Sequence, residues 1–152
     1  METTDVSYDT LKLIHSLAAY VWLGSLFGTL IFTTLSTRRS SAGAIVGATA
    51  IVRFSTRVGL PAAVVLLIAG LWMTSTGDVK LGSPWISIGF VTWLIAALVG
   101  SGLQHPAARK MRNADAGSAE ALRMARRIVL IGGVQIIVLV VAIWVMGAKP
   151  GS

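Results

Sequence analysis

At 152 residues, 55% of them hydrophobic and only 12% charged, the chain is one domain's worth of sequence with roughly half the charge of a soluble domain. A mean hydropathy of +0.78 makes lipid its natural solvent. The absence of cysteine excludes disulfides, thiolate metal sites, cysteine-ligated iron–sulfur clusters and cysteine nucleophiles, while the net charge of +7 has to be read with its distribution.

In chain order, the first ten residues, METTDVSYDT, are acidic rather than basic, so no cleavable signal is expected. Four apolar runs of membrane-crossing length follow: Leu11 to Leu35, Val58 to Thr74, Trp85 to Leu103 and Ile128 to Gly147. Polar STRRSSAGA after the first run reads as a turn, and Ala44 to Arg57 as an extension of the second helix. Pro61 is expected to kink that helix. TSTGDVKLGSP reads as a tight loop, and His105-Pro106 as the end of the third helix. Ser118 is placed to cap a long last helix, with Glu120 in its first turn.

Ten of the thirteen basic residues fall in the two links between spans one and two and between spans three and four; Lys12, Lys80 and Lys149 lie on the other side. By the positive-inside rule both termini face outward and the basic loops are cytoplasmic. The charge is thus topology plus attraction to anionic headgroups, and no nucleic-acid partner is expected. The expected fold is all-α: a single four-helix up-down transmembrane domain over residues 1–152, N-out and C-out, in a bacterial inner membrane.

His15 is the one histidine inside an apolar run. At 100° per residue it shares a face with Ala18, Ala19, Trp22, Ser25, Thr29 and Thr33, which should point into the bundle. Gly24 and Gly28 fall nearly opposite, a small-xxx-small surface for a helix of the same chain or of a second subunit. Trp72, Trp85 and Trp144 sit at the outward ends of spans as an aromatic belt; Trp22 and Trp93 lie deeper. Met73, Thr74, Asp78 and Met146 should share His15's depth, while His105 is most of a bilayer away.

Four readings of His15 remain open. It ligates haem b, alone or with His15 of a second subunit; it joins Met73 and Met146 in an outward-facing copper site; it binds quinone or relays a proton, with Trp22 walling the pocket; or it is a hydrogen-bonded structural residue. Arg53 and Arg57 read as topology determinants and lipid-phosphate contacts, with a substrate carboxylate or haem propionate as the alternative partner, and Gln135 reads as interhelical glue. No hydrolytic motif, phosphate-cradling glycine loop or intramembrane acidic residue is present, which disfavours a pump or secondary transporter and identifies no catalytic residue. A non-enzymatic accessory subunit of a larger membrane complex is the alternative to a redox-linked module.

HSLAAYVWLG carries an H-x-x-x-A-x-x-W-x-G pattern. With RVGLPAAVVLLIAGLWM, PWISIGF, HPAARKM and VMGAKP, in that order over nearly the whole chain, it resembles a family of uncharacterised bacterial four-helix integral membrane proteins. That resemblance implies the fold and topology but no substrate. The helix-one pattern is more loosely similar to the membrane domain of the copper-resistance protein D type, which implies copper at His15. It is also similar to HemJ-type membrane protoporphyrinogen oxidases, which implies haem at His15. From the latter the chain departs at FTTLSTRRS, where that family runs through proline, arginine and an aromatic residue to a histidine, and it has no intramembrane lysine.

Overall fold

The structure is a computed structural model and describes residues 2–39, 42–76, 82–115 and 118–148. The described residues are helical apart from short connections: α1 (Glu2–Arg39), α2 (Ala42–Thr76), α3 (Pro84–Val99), α4 (His105–Asn113) and α5 (Ala119–Ala148), with a π-helical turn at Gly100–Gln104 joining α3 to α4. Four stretches are long and apolar enough to cross a membrane: Tyr8–Arg39, Val52–Thr76, Pro84–Asn113 and Ala119–Ala148. This is the architecture of a four-helix membrane bundle.

The first connection is shorter than the polar turn expected, since α2 begins at Ala42 and absorbs the whole Ala44–Arg57 stretch. Pro61 lies inside α2 without ending it. The loop expected between helices two and three lies, from Gly77 to Leu81, outside the described residues. Ser118 caps α5 as expected: its Oγ accepts the N–H of Ala121 at 3.2 Å and its carbonyl accepts that of Leu122 at 3.1 Å.

His105 does not close the third helix. The chain stays helical to Asn113, and the His105 N–H reaches back five residues to the Gly100 carbonyl. The reason is local. Pro106 has no N–H to donate and its ring crowds the preceding turn; the wider π-turn before it accommodates both, so the helix continues where an α-turn would break.

α1 packs along α2 over most of its length, and α5 packs against α1, α3 and α4; α2 and α3 touch little. Small residues let the backbones approach. In mid-bundle Trp22, Leu26, Ala62, Ala63, Ala96, Ile136 and Leu139 form one buried cluster. At the end carrying the basic links, called the basic end below, Val52, Ala107, Met111, Ala121, Ala125 and Ile128 form another. Polar side chains tie helices together between the clusters. Ser55 Oγ donates to the Ser25 carbonyl at 3.0 Å, Trp93 Nε1 to the Ala63 carbonyl at 2.9 Å, and Gln135 Nε2 to the Ala96 carbonyl at 2.8 Å. Gln135 is therefore the interhelical glue its position suggested.

Candidate functional site

The face of α1 that carries His15 does point inward: Ala18, Trp22, Thr29 and Thr33 are buried, and His15, Ala19 and Ser25 half-buried. At the end opposite the basic one, the helices diverge around a cavity of about 170 Å³. α1 contributes Tyr8, His15, Ala19, Trp22 and Leu23, and α2 contributes Leu66, Leu67, Gly70, Leu71, Met73 and Thr74. α3 adds Trp85, Gly89, Phe90 and Trp93, and α5 adds Leu139, Ala142 and Met146. The weak contact between α2 and α3 is what leaves room for it.

His15, Trp22, Met73 and Met146, the four residues singled out by sequence, all line this one cavity. Thr74 lines it as well; Asp78, expected at the same depth, lies outside the described residues. His105 is exposed and belongs to α4, far along the helix axis from the cavity. Among the described residues no group of three or more histidine, aspartate or glutamate side chains comes together.

The chemistry is set by the imidazole. His15 Nδ1 lies 3.0 Å from the Leu66 carbonyl oxygen. A carbonyl only accepts, so Nδ1 carries the proton, and in the neutral ring Nε2 keeps a lone pair. Gly70 makes the approach possible. A Cβ there would stand 3.0 Å from Cε1 and 3.2 Å from Nδ1 of His15, tight enough that the ring would have to give by a few tenths of an ångström. Leu66 and Gly70, four residues apart on one face of α2, thus orient the ring, the first by its carbonyl and the second by lacking a side chain.

The remainder of the wall is apolar and aromatic. Phe90 and Trp93 stack with centroids 6.4 Å apart and planes 22° apart. Met146 folds its thioether methyl over Gly89, so that any side chain at 89 would occupy the same space. Trp72 and Trp144 are exposed, while Trp85, in the first turn of α3, is half-buried and forms part of the cavity wall. Leu66, Gly70, Gly89, Phe90 and Trp93 were not singled out by sequence as site residues. Only the two glycines, each inside an apolar span, gave a signal that something packs there.

Among the described residues a Cβ at Gly24 or Gly28 would meet nothing within 4 Å, which goes against the reading of this pair as a close intrachain helix contact.

The model of a family described as predicted integral membrane proteins (DUF2269) matches residues 9–150. No curated protein and no solved structure matches the chain.

Proposed function

The chain belongs to the DUF2269 family of predicted integral membrane proteins, and from that premise we propose that it is a redox-linked membrane module whose cavity binds the ring of a quinol. The observation that carries this reading is the His15–Leu66 hydrogen bond, which leaves Nε2 as an acceptor on a residue lining an aromatic cavity. A quinol hydroxyl donates to such an acceptor; an oxidised quinone has only carbonyls to offer. Cavity size agrees. About 150 Å³ of apolar cavity holds a benzene ring, and about 170 Å³ holds one substituted ring, with its tail free to leave between α2 and α3 into lipid.

Haem b fits less well. A fixed imidazole with its Nδ1–H on a carbonyl suits an iron ligand, but a macrocycle of four pyrroles exceeds the cavity, and among the described residues the lining holds no lysine or arginine for the propionates. Arg53 and Arg57 stand well down α2 toward the basic end, beyond reach of a group held by His15. Copper is the second reading, because His15, Met73 and Met146 line the same cavity and supply the imidazole and thioether donors that suit Cu(I). By the positive-inside rule this proposal places the cavity at the outward face of a bacterial inner membrane, with the basic links cytoplasmic.

The test is a titration of the purified chain in nanodiscs with a short-tailed quinol, followed by quenching of tryptophan fluorescence. Saturable quenching is expected, weaker by about tenfold or more in His15→Ala and weaker for the oxidised quinone. Equal affinity in wild type and variant would overturn the reading. Stoichiometric copper lost from His15→Ala and Met146→Leu moves the assignment to metal handling, a Soret band lost from His15→Ala restores haem, and a stable co-purifying complex without ligand moves it to an accessory subunit.

A further inference from the structure

On the other face of α1, toward the basic end, lies a groove of about 250 Å³ walled by Val21, Gly24, Ser25, Gly28 and Phe32 of α1 and by Phe54, Ser55 and Val58 of α2. It runs between two helices that touch behind it through Ser55 and Ser25. Its floor over Gly24 and Gly28 is open: among the described residues no atom lies within 4 Å of a Cβ at either position. Phe32 and Phe54, 51% and 64% exposed, rise as its two rims.

Charge tells what belongs there. Ser55 pairs with Ser25, and Gly59 sits against Trp22 and Ser25, so the antiparallel helices bring Arg57 level with Gly24 and Arg53 level with Gly28. Both arginines are exposed, one position round α2 from Val58 and Phe54. Beside them α1 stays apolar for about 16 Å beyond Gly24, as far as Leu35. Both arginines thus lie on an exposed face in the first turns of the second candidate span, Val52–Thr76, where a cation persists by reaching toward the headgroups and drawing a phosphate toward it. Arg39, eleven residues beyond Gly28 on the same stripe of α1, is exposed at the headgroup end. Of the six acidic residues, Glu2, Asp5, Asp9 and Asp78 fall toward the opposite end, and the other two, Asp115 and Glu120, belong to the link between the third and fourth spans rather than to α1 or α2.

We infer that this groove is a binding site for an anionic phospholipid of the leaflet at the basic end. One acyl chain lies over Gly24 and Gly28 between the two phenylalanines, and the phosphate is held by Arg53 and Arg57. A second copy of the chain is the rival occupant. A twofold contact through this face would gather Arg53 and Arg57 of both copies about one axis in a low-dielectric setting, which charge repulsion opposes. An anionic lipid neutralises them instead.

Native mass spectrometry of the full-length, delipidated chain, titrated with dioleoylphosphatidylglycerol or dioleoylphosphatidylcholine, tests the site. One phosphatidylglycerol is expected to be retained about tenfold or more tightly than phosphatidylcholine. Arg53→Gln with Arg57→Gln should bring the two lipids level. Gly28→Leu fills the groove without changing charge, its Cβ entering open space, and should lower phosphatidylglycerol retention to the same degree. Equal retention of both lipids by the wild type overturns the proposal. So does a dimeric wild type that Gly28→Leu converts to monomer with lipid binding unchanged, since the face would then belong to a second copy.

Discussion

The two ends of the bundle are built from the same kinds of residue and packed to opposite effect. At the basic end α2, α4 and α5 close on one another through Ala107, Met111, Ala121, Ala125 and Ile128, none more than 3% exposed. At the other end α2 and α3 draw apart, and aromatic rings stand round an open space with one imidazole in its wall. Alanine and a flexible methionine let helices meet and fill every gap; tryptophan and phenylalanine set against glycine hold helices apart. The chain thus keeps its stability and its candidate chemistry in separate places, and substitutions at the two ends should part company.

The largest effect is expected at the closed end. Met111→Ala removes a side chain that is 1% exposed and leaves a void under three helices, for a loss of about 2–5 kcal/mol. Unfolding of the purified protein in mixed micelles measures it, and quinol affinity in the molecules still folded should be unchanged. A parallel fall in affinity would show that the ends are coupled after all. Next in size is Gly70→Ala. Its methyl would meet the imidazole of His15 at 3.0 Å and push the ring by a few tenths of an ångström away from its seat on Leu66. Quinol affinity should fall about tenfold, as in His15→Ala, which corresponds to about 1.4 kcal/mol, while stability changes by less than about 1 kcal/mol because helix propensity improves. The smallest effect is expected between the ends. Gln135→Leu gives up the 2.8 Å bond to the Ala96 carbonyl but also removes the partnerless Gln135 Oε1. The net change should be under about 1 kcal/mol, read by the same unfolding assay.

How much of this was legible beforehand follows from which physical variable each feature depends on. Length and hydropathy are properties of single segments, and they placed all four spans. Helical periodicity is also local, and it put His15 and Trp22 on the inward face of α1. Counting residues from the boundary gave depth, which is why Met73 and Met146 emerged as neighbours of His15. The azimuth of one helix against another is not local. The meeting of His15 with Leu66 and Gly70, the open floor at Gly24 and Gly28, and the place of Trp85 in the cavity wall all depend on it. His105-Pro106 misled for a different reason, because proline's usual effect assumes an α-turn before it, and here that turn is wider.

That wider turn has a consequence for how the third span tolerates change in length. Each residue added to or removed from a regular helix swings everything beyond it by about 100°. The π-turn at Gly100–Gln104 holds a surplus residue of this kind without breaking the rod. Above it the helix is phased to wall the cavity; below it, Ala107 and Met111 are phased to enter the closed core. Gly100–Gln104 therefore acts as a phase joint: deleting a single residue there would restore a regular helix and keep Ala107 and Met111 aimed at the same core, whereas the same deletion elsewhere in the span would turn its lower half toward the wrong neighbours.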